Sequence, residues 1–109
     1  METFDTIEFE HPHVWMDFTQ TPQFVYLNSI KVWKPKRNTG LGTKQMIKAL
    51  KRADDLCLPI RLTPDDNLGT PIDVLLRWYR KLGFENYDTT GTELVYFPKN
   101  YPEHLKALL

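Results

Sequence analysis

Residues suited to holding an anion crowd into one stretch of this chain. Arg37-Asn38-Thr39-Gly40-Leu41-Gly42 lies between an apolar β-branched run and an amphipathic segment, with Lys34, Lys36 and Lys44 around it. Ahead of it, Val25 to Trp33 reads as a strand, rich in aromatic and β-branched residues and ended by Pro35. Behind it, Thr43 to Cys57 reads as a helix. Ile47, Leu50, Ala53 and Leu56 recur near a 3.6-residue period, with Lys44, Lys48, Lys51 and Arg52 outside. A strand, a glycine-bearing loop and a helix start together make an anion site. Glycines let the backbone come close to a ligand, and the first helical amides point outward unpaired. The ligand this implies is a phosphate or pyrophosphate. The spacing is not that of a Walker A loop, nor of the dinucleotide Gly-x-Gly-x-x-Gly.

A second group with chemical potential follows. Leu75 to Phe84 carries Tyr79 and ends in Gly83-Phe84. Thr70 reads as an N-cap, Pro71 as the first helical residue, Asp73 as an acid in the first turn and Gly83 as a left-handed C-cap. Between the two helices, Leu58 to Leu62 reads as a short buried strand.

The loop Arg-x-x-Gly-x-Gly, with Val32 five residues ahead of it, and the later Tyr-x-x-x-Gly-Phe resemble the coenzyme A loop and closing helix of the GNAT superfamily of N-acetyltransferases. The order of elements matches that family from about Val25 to Phe97. The resemblance implies an α+β fold, with a mixed, mostly antiparallel sheet, helices on both faces and one domain over residues 1–109. It implies acetyl-CoA as cofactor and acetyl transfer to an amine as activity. The backbone of Ile30, Lys31 and Val32 would hold the pantetheine arm, and the Val32 amide would polarise the thioester carbonyl. Arg37, Asn38, Thr39, Gly40, Leu41, Gly42 and Thr43 would hold the pyrophosphate. Asn67 would bond the arm, although an insertion around Leu68 to Pro71 displaces it from the usual spacing. Tyr79 would touch the cofactor and protonate the leaving thiolate, a role suited to a phenol with an ordinary pKa near 10. Tyr79 also lies on the apolar stripe Ile72, Leu75, Leu76, Tyr79, Leu82, where a core role is the competing reading.

The general base is the gap in this reading. The family often places a glutamate on the central strand, and Val25 to Trp33 contains no acid. Asp65, Asp66, Glu10, Asp17 and His13 are candidates by position, with Asp65-Asp66 better suited to a turn after Pro64. The family's N-terminal helix pair, which walls the acceptor site, is expected to be missing. The acceptor cleft is therefore expected to be open, or completed by a second copy as a homodimer. An open cleft suits the lysine or N-terminus of a protein better than a small amine that needs enclosure. The alternative is a catalytically silent module that binds coenzyme A or a protein partner.

Composition narrows the remaining classes. With 109 residues, 41% of them hydrophobic, the chain can fill one core. A net charge of zero and the lack of an aromatic platform disfavour nucleic acid as partner. Cys57 is the only cysteine, so no internal disulfide forms, and its position beside Leu56 and Leu58 suggests a small buried filler. His11 and His13 lack acidic or cysteine partners at metal-ligand spacing, so no metal is expected. No apolar run is long enough for a membrane span, and the expected location is the cytoplasm. Ahead of the loop, Thr3 to Glu10, Val14 to Phe18 and the run from Phe24 read as three antiparallel strands. Glu85 to Tyr87 pairs with Glu93 to Phe97, and Pro102 to Leu109 reads as a terminal helix.

Overall fold

The computed structural model describes residues 11–65 and 69–107. The expected strand over Thr3 to Glu10, Asn67, Asp66 and the last two leucines lie outside the described residues. Within them the order is β1 (Val14–Gln20), β2 (Val25–Val32), a 3-10 turn (Lys34–Lys36), α1 (Leu41–Leu56), β3 (Ile60–Leu62), α2 (Ile72–Leu82), β4 (Glu85–Asn86), β5 (Leu94–Tyr96) and α3 (Glu103–Lys106). No helix among the described residues is long and apolar enough to cross a membrane.

The strands form one mixed sheet in the order β1-β2-β3-β5-β4. β1 and β2 are a hairpin closed by Thr21, whose hydroxyl accepts from the amides of Gln23 and Phe24 and donates to the Phe24 carbonyl. Only β2 and β3 run parallel, paired at Val25–Ile60, Tyr26–Arg61 and Leu27–Leu62. A parallel step needs a crossover, and α1 supplies it. The β2–β3 pairing stops at Leu27 and Leu62, although β2 continues for five more residues. The register of β1 on β2 also slips there: Asp17 faces Ser29 and Phe18 faces Leu27, leaving Asn28 as the extra residue of a bulge.

Side-chain alternation decides where the helices pack. Val14, Met16, Val25, Leu27, Ile60, Leu62, Leu94 and Tyr96 point to one face and are buried there. Met46, Ala49, Leu50 and Ala53 of α1 and Tyr79 of α2 close over them in the same cluster. Burying a side chain of the size of Ile60 or Leu62 contributes about 2 kcal/mol. The sequence anticipates helices on both faces; the two long ones share this apolar face. The opposite face carries Trp15, Asp17 and Thr19 of β1 with Tyr26 and Asn28 of β2. All but Tyr26 are exposed, Trp15 at 52%.

Several boundaries differ from expectation for local reasons. Helix α1 starts at Leu41 rather than Thr43, because Gly40 takes the left-handed N-cap position (φ 82°) and its carbonyl accepts from the Lys44 amide at 3.0 Å. Pro71, not Thr70, is the N-cap of α2, with no side chain bonding the first turn. Gly83 is the left-handed C-cap, as its position implied. Cys57 is exposed rather than a buried filler. It terminates α1 with φ 54°, which turns its side chain out of the apolar stripe. Asp54 ties the end of α1 to β5, its Oδ1 accepting from the Tyr96 hydroxyl at 2.9 Å and from the Lys99 amide at 3.2 Å.

Candidate active site

Where β2 leaves β3, the sheet opens into a cleft of about 750 Å³. One wall is the edge of β2 from Leu27 to Val32. The other is Thr63, Asp65 and the segment Gly69 to Pro71, with Val74, Leu75, Trp78 and Tyr79 of α2. The start of α1 closes one end with Gly40, Leu41, Gly42 and Thr43. The structure therefore brings together the residues assigned by resemblance on β2, in the loop and on α2. Thr39 is the exception among those described: it does not line the cleft, and its hydroxyl donates to the Lys36 carbonyl to shape the loop.

The helix end of the cleft suits an anion. Asn38 (φ 62°) and Gly40 (φ 82°) are both left-handed, and turns of this kind aim successive amides into a concavity. The first intrahelical bond of α1 is made by Lys44, so the amides of Leu41, Gly42 and Thr43 have no helical carbonyl to bond. No acid lies in that first turn to compete with a bound anion, and Lys36 and Arg37 line the same cleft. Arg37 is held in place by its own strand end, its Nε donating to the Val32 carbonyl at 3.0 Å.

The two glycines of the loop do different work. A Cβ on Gly40 would meet nothing within 4 Å, so its requirement is the left-handed backbone. A Cβ on Gly42 would stand 3.0 Å from Val32 Cγ2 and 3.8 Å from Trp78 Cζ2. Gly42 thus lets α1 approach the end of β2, a packing role beside the ligand approach expected from sequence.

Tyr79 is both core and cleft residue. It is 5% exposed, with Trp78 at 4.9 Å and Phe84 at 5.5 Å between ring centres, and it still lines the cleft. Burial pushes its phenol up to about 12. At neutral pH it is fully protonated, the state an acid must start from. Because the folded value lies above the unfolded one near 10, its contribution to stability is complete below pH 10 and is lost as pH rises toward 12. Tyr96, also raised to about 12 by burial and then by its bond to Asp54, acts in the same window. Denaturant midpoints are expected to stay level up to about pH 9.5 and to fall between pH 10 and 12.

Trp78 is a cleft residue that sequence reasoning missed. Its Nε1 donates to Thr43 Oγ1 at 2.8 Å, pinning α2 to the first turn of α1. The bond uses Thr43 as acceptor and leaves its hydroxyl hydrogen for a ligand. The available signal was spacing: Trp78 continues Val74 and Leu75 one turn on, beside the stripe that contains Tyr79.

A charge contrast follows from the geometry. Arg37 lines the cleft, whereas Lys51 lies on the exposed side of α1 away from it. Arg37→Ala is expected to weaken acetyl-CoA binding about tenfold and Lys51→Ala less than twofold, measured by calorimetry at one ionic strength. Equal effects would make the loop charge generic.

No family model matches the sequence, and no curated protein matches it. Solved structures do match the fold. The anti-CRISPR protein AcrVA5 superposes with a TM-score of 0.67 at 21% identity, over 80% of this chain and 93% of that one. The PaiA N-acetyltransferase from Thermoplasma acidophilum, solved with coenzyme A, gives 0.63 at 16% identity, over 78% of this chain and 53% of that one. The NatC complex bound to Gag peptide and coenzyme A gives 0.54 at 17% identity, over 77% of this chain and 57% of that one. The chain thus spans little more than half the length of the latter two. At these identities the likeness establishes the fold alone: the described residues take a GNAT-like fold.

Proposed function

We propose that the protein is an acetyl-CoA-dependent N-acetyltransferase acting on an exposed amine, a protein lysine or N-terminus. The observation that carries this is the convergence on one cleft of a strand edge that β3 leaves beyond Leu27, an anion-receptive helix start and a buried, protonated tyrosine. The donor set fits the cofactor. The first-turn amides of α1 with Lys36 and Arg37 would take the pyrophosphate, and the edge of β2 at Ile30 to Val32 would pair with the amide-bearing arm. When bound, acetyl-CoA supplies an acyl thioester. The Val32 amide would polarise the carbonyl, and Tyr79 would give its proton to the departing sulfur. The apolar surroundings that raise the phenol also raise the basicity of a thiolate in the same cleft, so the two remain matched.

Two observations support a protein acceptor. The sheet face opposite α1 and α2 is exposed along β1 and β2, and one structural neighbour was solved with both a peptide and coenzyme A. The lone cysteine and the lack of a membrane-spanning helix among the described residues accord with the cytoplasm as location. Incubation with labelled acetyl-CoA and a random peptide library bearing lysines and free N-termini tests the reading. Label is expected on amine nitrogens. Binding of acetyl-CoA without any transfer would make the chain a coenzyme A-binding module instead.

A further inference from the structure

No acid lies on β2, so the proton leaving the acceptor amine needs another destination. The direction of approach narrows the choice. Asn28 and Ser29 line the end of the cleft and are exposed, so an amine can approach them from the face opposite α1 and α2. On that face the residue in register with Ser29 is Asp17 of β1. Asn28 meets it too: the pairing of Phe18 with Leu27, continued by one residue, places Asn28 opposite Asp17, and the bulge brings Ser29 to the same partner. Asn28 Nδ2 donates to Asp17 Oδ2 at 3.0 Å and to Thr19 Oγ1 at 2.8 Å. Both amide hydrogens are then used, which fixes the orientation of the carboxylate and leaves its Oδ1 and the Asn28 carbonyl oxygen as acceptors.

Resting on the acetyltransferase reading, we propose that Asp17 takes the proton of the acceptor amine and that Asn28 is the residue that positions it. The nitrogen lone pair forms the N–C bond as the C–S bond breaks. The proton shed by the nitrogen goes to Asp17, and the sulfur takes one from Tyr79, so charge and atoms balance. The base missing from the central strand is thereby supplied by its neighbour. The register slip adds Ser29 to this group, since without it Ser29 would alternate to the face away from Asn28 and Asp17.

The test uses the full chain, labelled acetyl-CoA and the lysine peptide most heavily modified by the wild type. Asp17→Asn keeps an acceptor for the Asn28 amide, so folding is retained while the base is lost. Its kcat is expected to fall about a hundredfold, with the calorimetric Kd for acetyl-CoA and the peptide KM within about twofold of wild type. Asn28→Ala should lower kcat about tenfold, and adding it to Asp17→Asn should lower kcat no further. Unchanged kcat in Asp17→Asn, a loss of acetyl-CoA binding in that variant, or additive losses in the double variant would each overturn the assignment while leaving the acetyltransferase reading in place. A wild type that modifies no peptide would overturn both.

Discussion

Replacing Tyr79 with phenylalanine is expected to lower acetyl transfer by at least about a hundredfold, with acetyl-CoA affinity nearly unchanged. The ring stays where it packs against Trp78 and Phe84, so the core keeps its shape. Only the proton donor is removed. With its phenol pushed up to about 12, Tyr79 is protonated throughout the neutral range, so the defect should be constant between pH 6 and 9. Single-turnover rates with matched calorimetry check this. A Tyr79→Phe variant that turns over like wild type would leave Tyr79 as core alone, and the thiolate would need another acid.

The second large effect separates the two glycines. Gly40→Val is expected to cost acetyl-CoA affinity at least about a hundredfold, because it puts a β-branched side chain on a left-handed residue lining the cleft. The backbone strain is worth about 1–2 kcal/mol, which a folded protein of this size survives. Gly42→Ala should act through packing. Its Cβ would press on Val32 Cγ2 at 3.0 Å, moving α1 off the end of β2 and misplacing the amides of both. An overpacking cost of about 1–3 kcal/mol and a clear loss of affinity are expected. Val32→Ala in the Gly42→Ala background should recover much of both. Thermal melts and calorimetry on the four proteins distinguish this from ligand approach, in which case the double variant would regain stability and not affinity.

The phosphate loop, α1 and the tyrosine helix were legible because local rules govern them. Glycines mark left-handed positions, and a 3.6-residue stripe marks α1, although the stripe read as Ile47, Leu50, Ala53 and Leu56 lies on Met46, Ala49, Leu50 and Ala53 in the structure, with Ile47 exposed. The helix start was misplaced by two residues because Gly42 reads as loop in sequence, yet sits inside the first turn where only the contact with Val32 explains it. Which face each helix covers was not legible, since α1 and α2 show amphipathic stripes whichever side of the sheet they meet. Cys57 was misread for a related reason: its neighbours are apolar, but a left-handed C-cap turns it outward. The bulge at Asn28 depends on pairing with a strand some ten residues upstream, and nothing in Val25 to Val32 alone announces it. Trp78 was passed over because its indole N–H finds Thr43 across 35 residues of chain, a contact only the fold creates.

The proposed function requires coenzyme A to lie along the edge of β2 with its pyrophosphate at the start of α1. Titration of isotope-labelled protein with coenzyme A, followed by amide proton–nitrogen spectra, tests this most directly. The largest shifts are expected at Ile30 to Val32 and at Gly40 to Thr43, saturating together at one equivalent. No saturable shift, or shifts confined to the exposed lysines Lys48 and Lys51, would contradict the account.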